Sequence, residues 1–242
     1  MKPLPIIGFD RYVPRHWLNA ALAAAVGEAD RTAVVSLLAE EIVGVEARSK
    51  TMIILNRIWL SPHPTLVTFA AAGIAICEAK PDINRLPLHW GMALASHPFF
   101  ATVADTIGKL LKLHGEFTSL QINRRLKEQL GDRASILRAT EAVLQTLVEW
   151  GAIQEAAGRK RTFMAGQPLA VNSKVASMWL LEACLRATGR TLALGENSNL
   201  FFALKLDALR ESDFTRQSRL HLTTSGAGLT TVSLARLGSQ PA

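Results

Sequence analysis

The stretch after Gly115 constrains the fold more than any other part of the sequence, because two amphipathic helices and a short ribbon follow one another without a linker. Thr118, with Gln121 three positions later, matches a capping box and predicts a helix over "SLQINRRLKEQL". Gly131 is expected to end that helix, since glycine adopts the backbone conformations that close helices. The pattern predicts a helix followed by a tight turn.

The second helix lies in "DRASILRATEAVLQTLVEW"; it is expected to begin at Asp132 or Ser135 and to end before Gly151. Its apolar residues recur at helical spacing, which predicts a buried face composed of Ile136, Leu137, Thr140, Val143, Leu144, Leu147 and Val148. The outward face is then expected to hold Ser135, Arg138, Ala139, Ala142 and Gln145.

A two-stranded ribbon is predicted next, because the short apolar runs "AI" and "TF" flank a turn at Gly158. Three cations, Arg159, Lys160 and Arg161, follow that glycine. The order of two helices, a tight turn and a ribbon is typical of a winged helix-turn-helix. Cations at a ribbon tip are equally typical of a solvated turn without a partner, so both interpretations stay open.

In a winged helix-turn-helix the second helix enters the major groove of double-stranded DNA and the ribbon tip reaches the phosphate backbone. Arg138, Ser135 and Gln145 are the candidates for base edges, and the ribbon cations are the candidates for phosphates. The full set of candidate DNA-binding residues is Arg124, Arg125, Lys127, Arg133, Ser135, Arg138, Gln145, Arg159, Lys160 and Arg161.

The charge distribution favours a polyanionic partner. The net charge is +7, and residues 1–117 hold 11 Lys and Arg against 10 Asp and Glu. Residues 118–185 hold 9 against 6, and residues 186–242 hold 7 against 4, so most of the excess follows residue 117. Nucleic acid and an anionic membrane surface are the usual partners of such a region.

The expected fold class is mainly α, since 49% hydrophobic residues imply a packed core. We expect a helical bundle over residues 1–116, a winged helix-turn-helix over 117–171, and a helix with a β-hairpin over 172–242. In the bundle, one helix is predicted to follow Asp30 through "RTAVVSLLAEEIVGVEA". In the last unit, Asn172 or Ser173 is the expected cap of a helix that Gly189 ends.

An uncharged run from Ile58 to Cys77 has the length of a membrane span. Ser61, Pro62, His63 and Pro64 interrupt it near its start, which favours a buried core helix. The first seventeen residues lack the apolar core of a signal peptide. We therefore expect a cytoplasmic protein without a membrane partner.

No residue pattern predicts catalysis or cofactor binding. The six histidines show no metal-ligand spacing, and Cys77 and Cys184 lie far apart in apolar surroundings, as buried free thiols do. The glycines Gly226 and Gly228 have no Walker lysine near them. We therefore expect a protein that is not an enzyme and that binds no metal ion and no cofactor.

Two runs, "LHWGMALASHPFFATVADTIGKLL" and "GDRASILRATEAVLQTLVEWGAI", resemble the central pattern of the BrxA family of BREX phage-defence systems. That family has a Trp-containing helix, a helix opening on a bulky aromatic pair, and a small helical module that ends in an apolar helix. The resemblance covers Leu88 to Ile153 and does not include the C-terminal hairpin. It implies a cytoplasmic helical protein that binds double-stranded DNA without chemistry, in phage defence or regulation.

The rival hypothesis is a protein-interaction subunit that docks on a larger complex through the winged helix and the C-terminal hairpin. DNA binding needs Arg138 and the ribbon cations on one positive face, whereas docking predicts an exposed apolar patch.

Overall fold

The computed structural model describes residues 7–214, 219–226 and 228–235 of the chain, which form nine α-helices and eight short strands. The expected fold class is confirmed in that the chain is mainly α with small sheets. Parts of the expected first and last units, residues 1–6, 215–218 and 236–242, lie outside the described residues. Ala227, between the two glycines of the C-terminal loop, also lies outside them.

The first three helices pack together: α1 (Arg15–Ala25), α2 (Arg31–Glu41) and α3 (Val45–Leu55). The single helix predicted after Asp30 is wrong, because the chain turns extended at Ile42 and Gly44 and divides it in two. Glycine is a poor helix former, and it precedes the first residue of α3.

A wide π turn over Asn56–Leu60 continues α3, and α4 (Val67–Ala79) follows a break at residues 61–63. By length and composition alone, the helical stretch Val45–Ala79 could cross a membrane, and 33% of its most apolar window is buried inside the fold. The break holds Ser61, Pro62 and His63, and Pro64 begins a short 3-10 turn, Pro64–Leu66, that leads into α4. One face of α4, which includes Phe69 and Gly73, is buried against the rest of the protein.

The centre of the protein is α5 (Leu86–Ser96), which is buried on all sides and packs most closely against α9 (Lys174–Thr188). Trp179 of α9 stacks on Phe69 with ring centroids 4.5 Å apart and donates a 2.9 Å hydrogen bond to its carbonyl oxygen. A Cβ at Gly91 of α5 would overlap that indole ring. Glycine is required at this position because the Trp179 ring of α9 lies directly against the backbone of α5.

A helix, a strand, two helices and two strands then follow in order, and we term residues 98–165 the ribbon module. Its elements are α6 (Pro98–His114), β1 (Glu116–Thr118), α7 (Ser119–Leu130), α8 (Ala134–Glu149), β2 (Ile153–Glu155) and β3 (Thr162–Ala165). The strands form an antiparallel sheet in the order β1-β3-β2. The boundary expected between residues 116 and 117 falls inside β1, and α6 packs on α7.

The remaining strands form two small sheets around α9. A parallel pair joins β4 (Leu169–Val171) to β6 (Leu204–Leu206), and β5 (Leu192–Ala193) pairs with the hairpin of β7 (Leu220–Thr224) and β8 (Thr230–Leu234). The predicted C-terminal hairpin is therefore confirmed. Because β4 pairs with β6, the expected unit boundary after residue 171 separates two paired strands.

Candidate nucleic-acid interface

The exposed face of α8 differs from the predicted one. Ala139 and Ala142 were expected to point outwards, and both are buried, whereas Leu137 and Val148 are 46% and 40% exposed. The helix begins at Ala134, between the two expected start positions, Asp132 and Ser135. Alanine is tolerated on a buried face and on an exposed face alike. The sequence pattern therefore did not determine which residues lie at the edges of the buried face of α8.

The face that α8 does expose carries both signs of charge. Ser135, Arg138 and Gln145 are exposed as expected, and Glu141 lies between the last two at helical spacing. Arg138 makes no ion pair within the described residues. The helix therefore presents one uncompensated cation in its first half and a carboxylate in its middle.

Two of the three ribbon cations form ion pairs inside the ribbon module. Arg159 donates two hydrogen bonds of 2.6 Å to the carboxylate of Glu116 on β1. This hydrogen bonding lowers the pKa of Glu116 and raises the pKa of Arg159. Arg161 donates a 2.5 Å hydrogen bond to Glu141 on α8.

Lys160, at the tip, is exposed and has no ion-pair partner among the residues that the structure describes. The ribbon thus offers one free cation where the sequence predicted three. The acidic partners, Glu116 and Glu141, were missed because they are distant from the ribbon along the chain and only the fold brings them near.

Among the cations of α7 and of the turn after it, some also form ion pairs and others do not. Arg124 pairs with Glu128 at 3.1 Å, and Lys127 pairs with Asp132 at 2.8 Å. Arg125 is exposed and makes no ion pair within the described ranges. The Nε and Nη2 atoms of Arg133, directly before α8, are buried and have no hydrogen-bond partner in this part of the structure.

A groove of about 890 Å³ separates α8 from the ribbon. Leu144, Ile153 and Phe163 form a buried apolar floor, and Val148 and Tyr12 are exposed beside it. The groove could not be predicted from the sequence, because its walls come from α8, the ribbon and the segment before α1.

Trp150 closes α8 and is buried against Trp90 and Phe100, with ring centroids 5.9 and 5.7 Å away. Its Nε1 donates a 3.1 Å hydrogen bond to the carbonyl oxygen of Val13. The indole therefore joins α8 to α5, to α6 and to the segment before α1 in one core.

The structure thus brings Arg138, Glu141 and Arg161 together on one side of the ribbon module. Comparisons of the chain with protein-family models, with curated proteins and with solved structures found no match.

Proposed function

We propose that the chain is a non-enzymatic protein that binds double-stranded DNA through the ribbon module, and that this module is a winged helix-turn-helix. The proposal is supported by the order of elements, in which α6, β1, α7 and α8 precede a hairpin. It is also supported by the β1-β3-β2 sheet, which holds the hairpin beside α8. In this arrangement α8 is the helix that enters the major groove.

The observation that carries the proposal is the charge that remains after ion pairing. From residue 116 to its end at residue 165, the ribbon module contains eight cations, of which four form ion pairs within that range: Arg124, Lys127, Arg159 and Arg161. The four left over are Arg125, Arg133, Arg138 and Lys160. Of the six carboxylates in the same range, only Glu155 makes no ion pair within the described residues. Phosphates are the partners that such unpaired cations favour.

Three of the four unpaired cations have a distinct role in the proposal, whereas Arg133 has buried Nε and Nη2 atoms. Lys160 and Arg125 contact phosphates and fix the position of the module on the duplex. Arg138 lies in the first half of α8, where winged helices meet base edges, and its guanidinium suits the O6 and N7 atoms of guanine. Arg159 and Arg161 hold the ribbon, and because exposed ion pairs are weak they can also turn to phosphate.

The resemblance to the BrxA family agrees with this function and supports a setting in phage defence, with other subunits of a defence complex as further partners. A regulatory setting fits the same module. The protein-interaction alternative is supported by a different feature, the groove beside α8.

Fluorescence anisotropy with a labelled random-sequence duplex over a series of KCl concentrations tests the proposal. The double replacement Arg125→Ala with Lys160→Ala should weaken binding and flatten the slope of log K against log salt by about 2 units, because each neutralised phosphate contributes about −0.9. Lys80→Ala is the matched control, since Lys80 is exposed at the end of α4, outside the ribbon module. It should leave both quantities unchanged.

Arg138→Ala should change the preference among duplexes of different sequence more than it changes the salt slope. Binding selections with the variant and the original protein measure that preference. If the folded original protein binds no duplex at low salt, or if the double variant keeps the original salt slope, the proposed function is wrong.

A further inference from the structure

The groove between α8 and the ribbon is apolar at its floor and has exposed apolar groups on its walls. Leu144, Ile153 and Phe163 are almost completely buried beneath it. Val148 and Tyr12 are each 40% exposed, and they face the same groove. An occupant that brings an aliphatic or aromatic side chain would remove their apolar surface from water.

The polar rim of this groove is acidic. Glu141, Glu149 and Glu155 line it, and Arg161 is the one cation among its lining residues. Glu149 is held by Arg15, whose backbone N–H donates a 2.9 Å hydrogen bond to it. Glu155 is exposed and has no ion-pair partner in the described part of the chain. Glu141 is paired with Arg161 and Glu149 with Arg15, so Glu155 is the rim carboxylate that a basic side chain finds unpaired among the described residues.

The edge of the sheet adds a further feature. Among the described strands β2 pairs only with β3, so its other edge has no strand partner there and can pair with a backbone from outside the sheet. Gln154 and Glu155 of β2 both line the groove. An extended segment can bind here by its backbone, its apolar side chains and its charge together.

We infer that this groove is a docking site for a segment of a partner protein in which Lys or Arg residues alternate with aliphatic or aromatic residues. The apolar side chains of the partner segment pack on Val148 and the groove floor. Its Lys or Arg side chains form ion pairs with Glu155 and lie near the other rim carboxylates. None of the four unpaired cations of the proposed DNA interface lines this groove, although Gln145 and Arg161 do. Peptide binding and duplex binding are measured separately, so either proposal can fail in experiment without the other.

A fluorescein-labelled peptide amide of sequence KLKFKLK is the probe, and KGKGKGK is a control of equal charge without apolar groups. Anisotropy titrations with the full chain should show that the first peptide binds about tenfold more tightly than the second, because only it fills the apolar floor. Glu155→Lys and Val148→Asp should each weaken binding of the first peptide by about tenfold.

Glu40→Lys, which changes an exposed carboxylate on α2, is the matched control and should bind like the original protein. Circular dichroism and melting curves show whether each variant is folded. Equal binding of the two peptides, or original affinity in folded Glu155→Lys and Val148→Asp, would overturn the inference. It is also overturned if duplex DNA displaces the peptide, or if Val148→Asp converts a dimer of the chain into monomers, because the occupant is then DNA or a second copy.

Discussion

Arg161 reaches from the ribbon turn to Glu141 in the middle of α8, and its guanidinium donates a 2.5 Å hydrogen bond to that carboxylate. Its backbone has φ of 59°, and among the described residues it is the one residue other than glycine with a positive φ. A side chain in this region costs free energy, since its Cβ approaches the backbone. The same residue therefore fixes the ribbon against α8 and strains the turn.

Replacing Arg161 should separate these two effects. Arg161→Gly relieves the backbone and loses an exposed ion pair, so the free energy of unfolding should change by less than about 1 kcal/mol. Arg161→Val keeps the positive φ and places a β-branched side chain there, so it should lower the free energy of unfolding by about 1–3 kcal/mol. Urea denaturation measures both values. Equal losses in the two variants would show that the ion pair, and not the backbone, decides the stability of the turn.

Trp150 is expected to be the most sensitive position of the ribbon module. Trp150→Ala should lower the free energy of unfolding by about 3–5 kcal/mol, because it removes a buried ring that contacts Trp90 and Phe100. Trp150→Phe keeps most of the ring contact and leaves the Val13 carbonyl oxygen without its donor, so a smaller loss of about 1–3 kcal/mol is expected. An unchanged melting temperature in Trp150→Ala would exclude this packing.

Two buried histidines predict that the protein loses stability in mild acid. Burial, with Arg85 near His89 and Arg57 near His97, lowers the pKa of each ring from 6.5 to about 3. The unfolded chain therefore binds more protons than the folded chain between these values, and stability is complete above pH 6.5 and falls as the pH decreases.

Urea denaturation at about pH 7.5 and about pH 5 measures this loss, and each histidine should contribute about 2 kcal/mol to it. His97→Leu should reduce the pH dependence by that amount, since Nε2 of His97 is buried without a hydrogen-bond partner in the described residues. A variant with the same pH dependence as the original protein would show that His97 is not the titrating group.

Much of the ribbon module could be predicted because its signals are local. The capping box of Thr118 and Gln121 is present, with the Gln121 side chain 2.7 Å from the Thr118 amide. Gly131 follows the last residue of α7, and Gly151 has the positive φ that lets the chain leave α8. Each of these residues acts on its neighbours in the sequence, so no tertiary information was needed.

The features that the sequence did not predict depend on contacts between distant residues. β1 has three residues and no sequence pattern, and it is a strand because β3 pairs with it across more than forty positions. The ion pairs of Arg159 and Arg161 have the same origin, since Glu116 and Glu141 lie on other elements. Charge counting along the chain treats all cations alike, whereas the fold leaves only some of them free.

Gly108 gives a test of how closely the ribbon module packs on the C-terminal part of the chain. This glycine lies on α6, and a Cβ there would overlap the backbone carbonyl oxygen of Asn199. Backbone cannot move aside as a flexible side chain can, so Gly108→Ala should lower the free energy of unfolding by about 1–3 kcal/mol even though alanine favours helices. Gly226→Ala is the control, because nothing lies within 4 Å of the added Cβ. Urea denaturation should show a loss in the first variant and little change in the second, whereas stabilisation of Gly108→Ala would show that α6 and the turn at Asn199 are not in contact in solution.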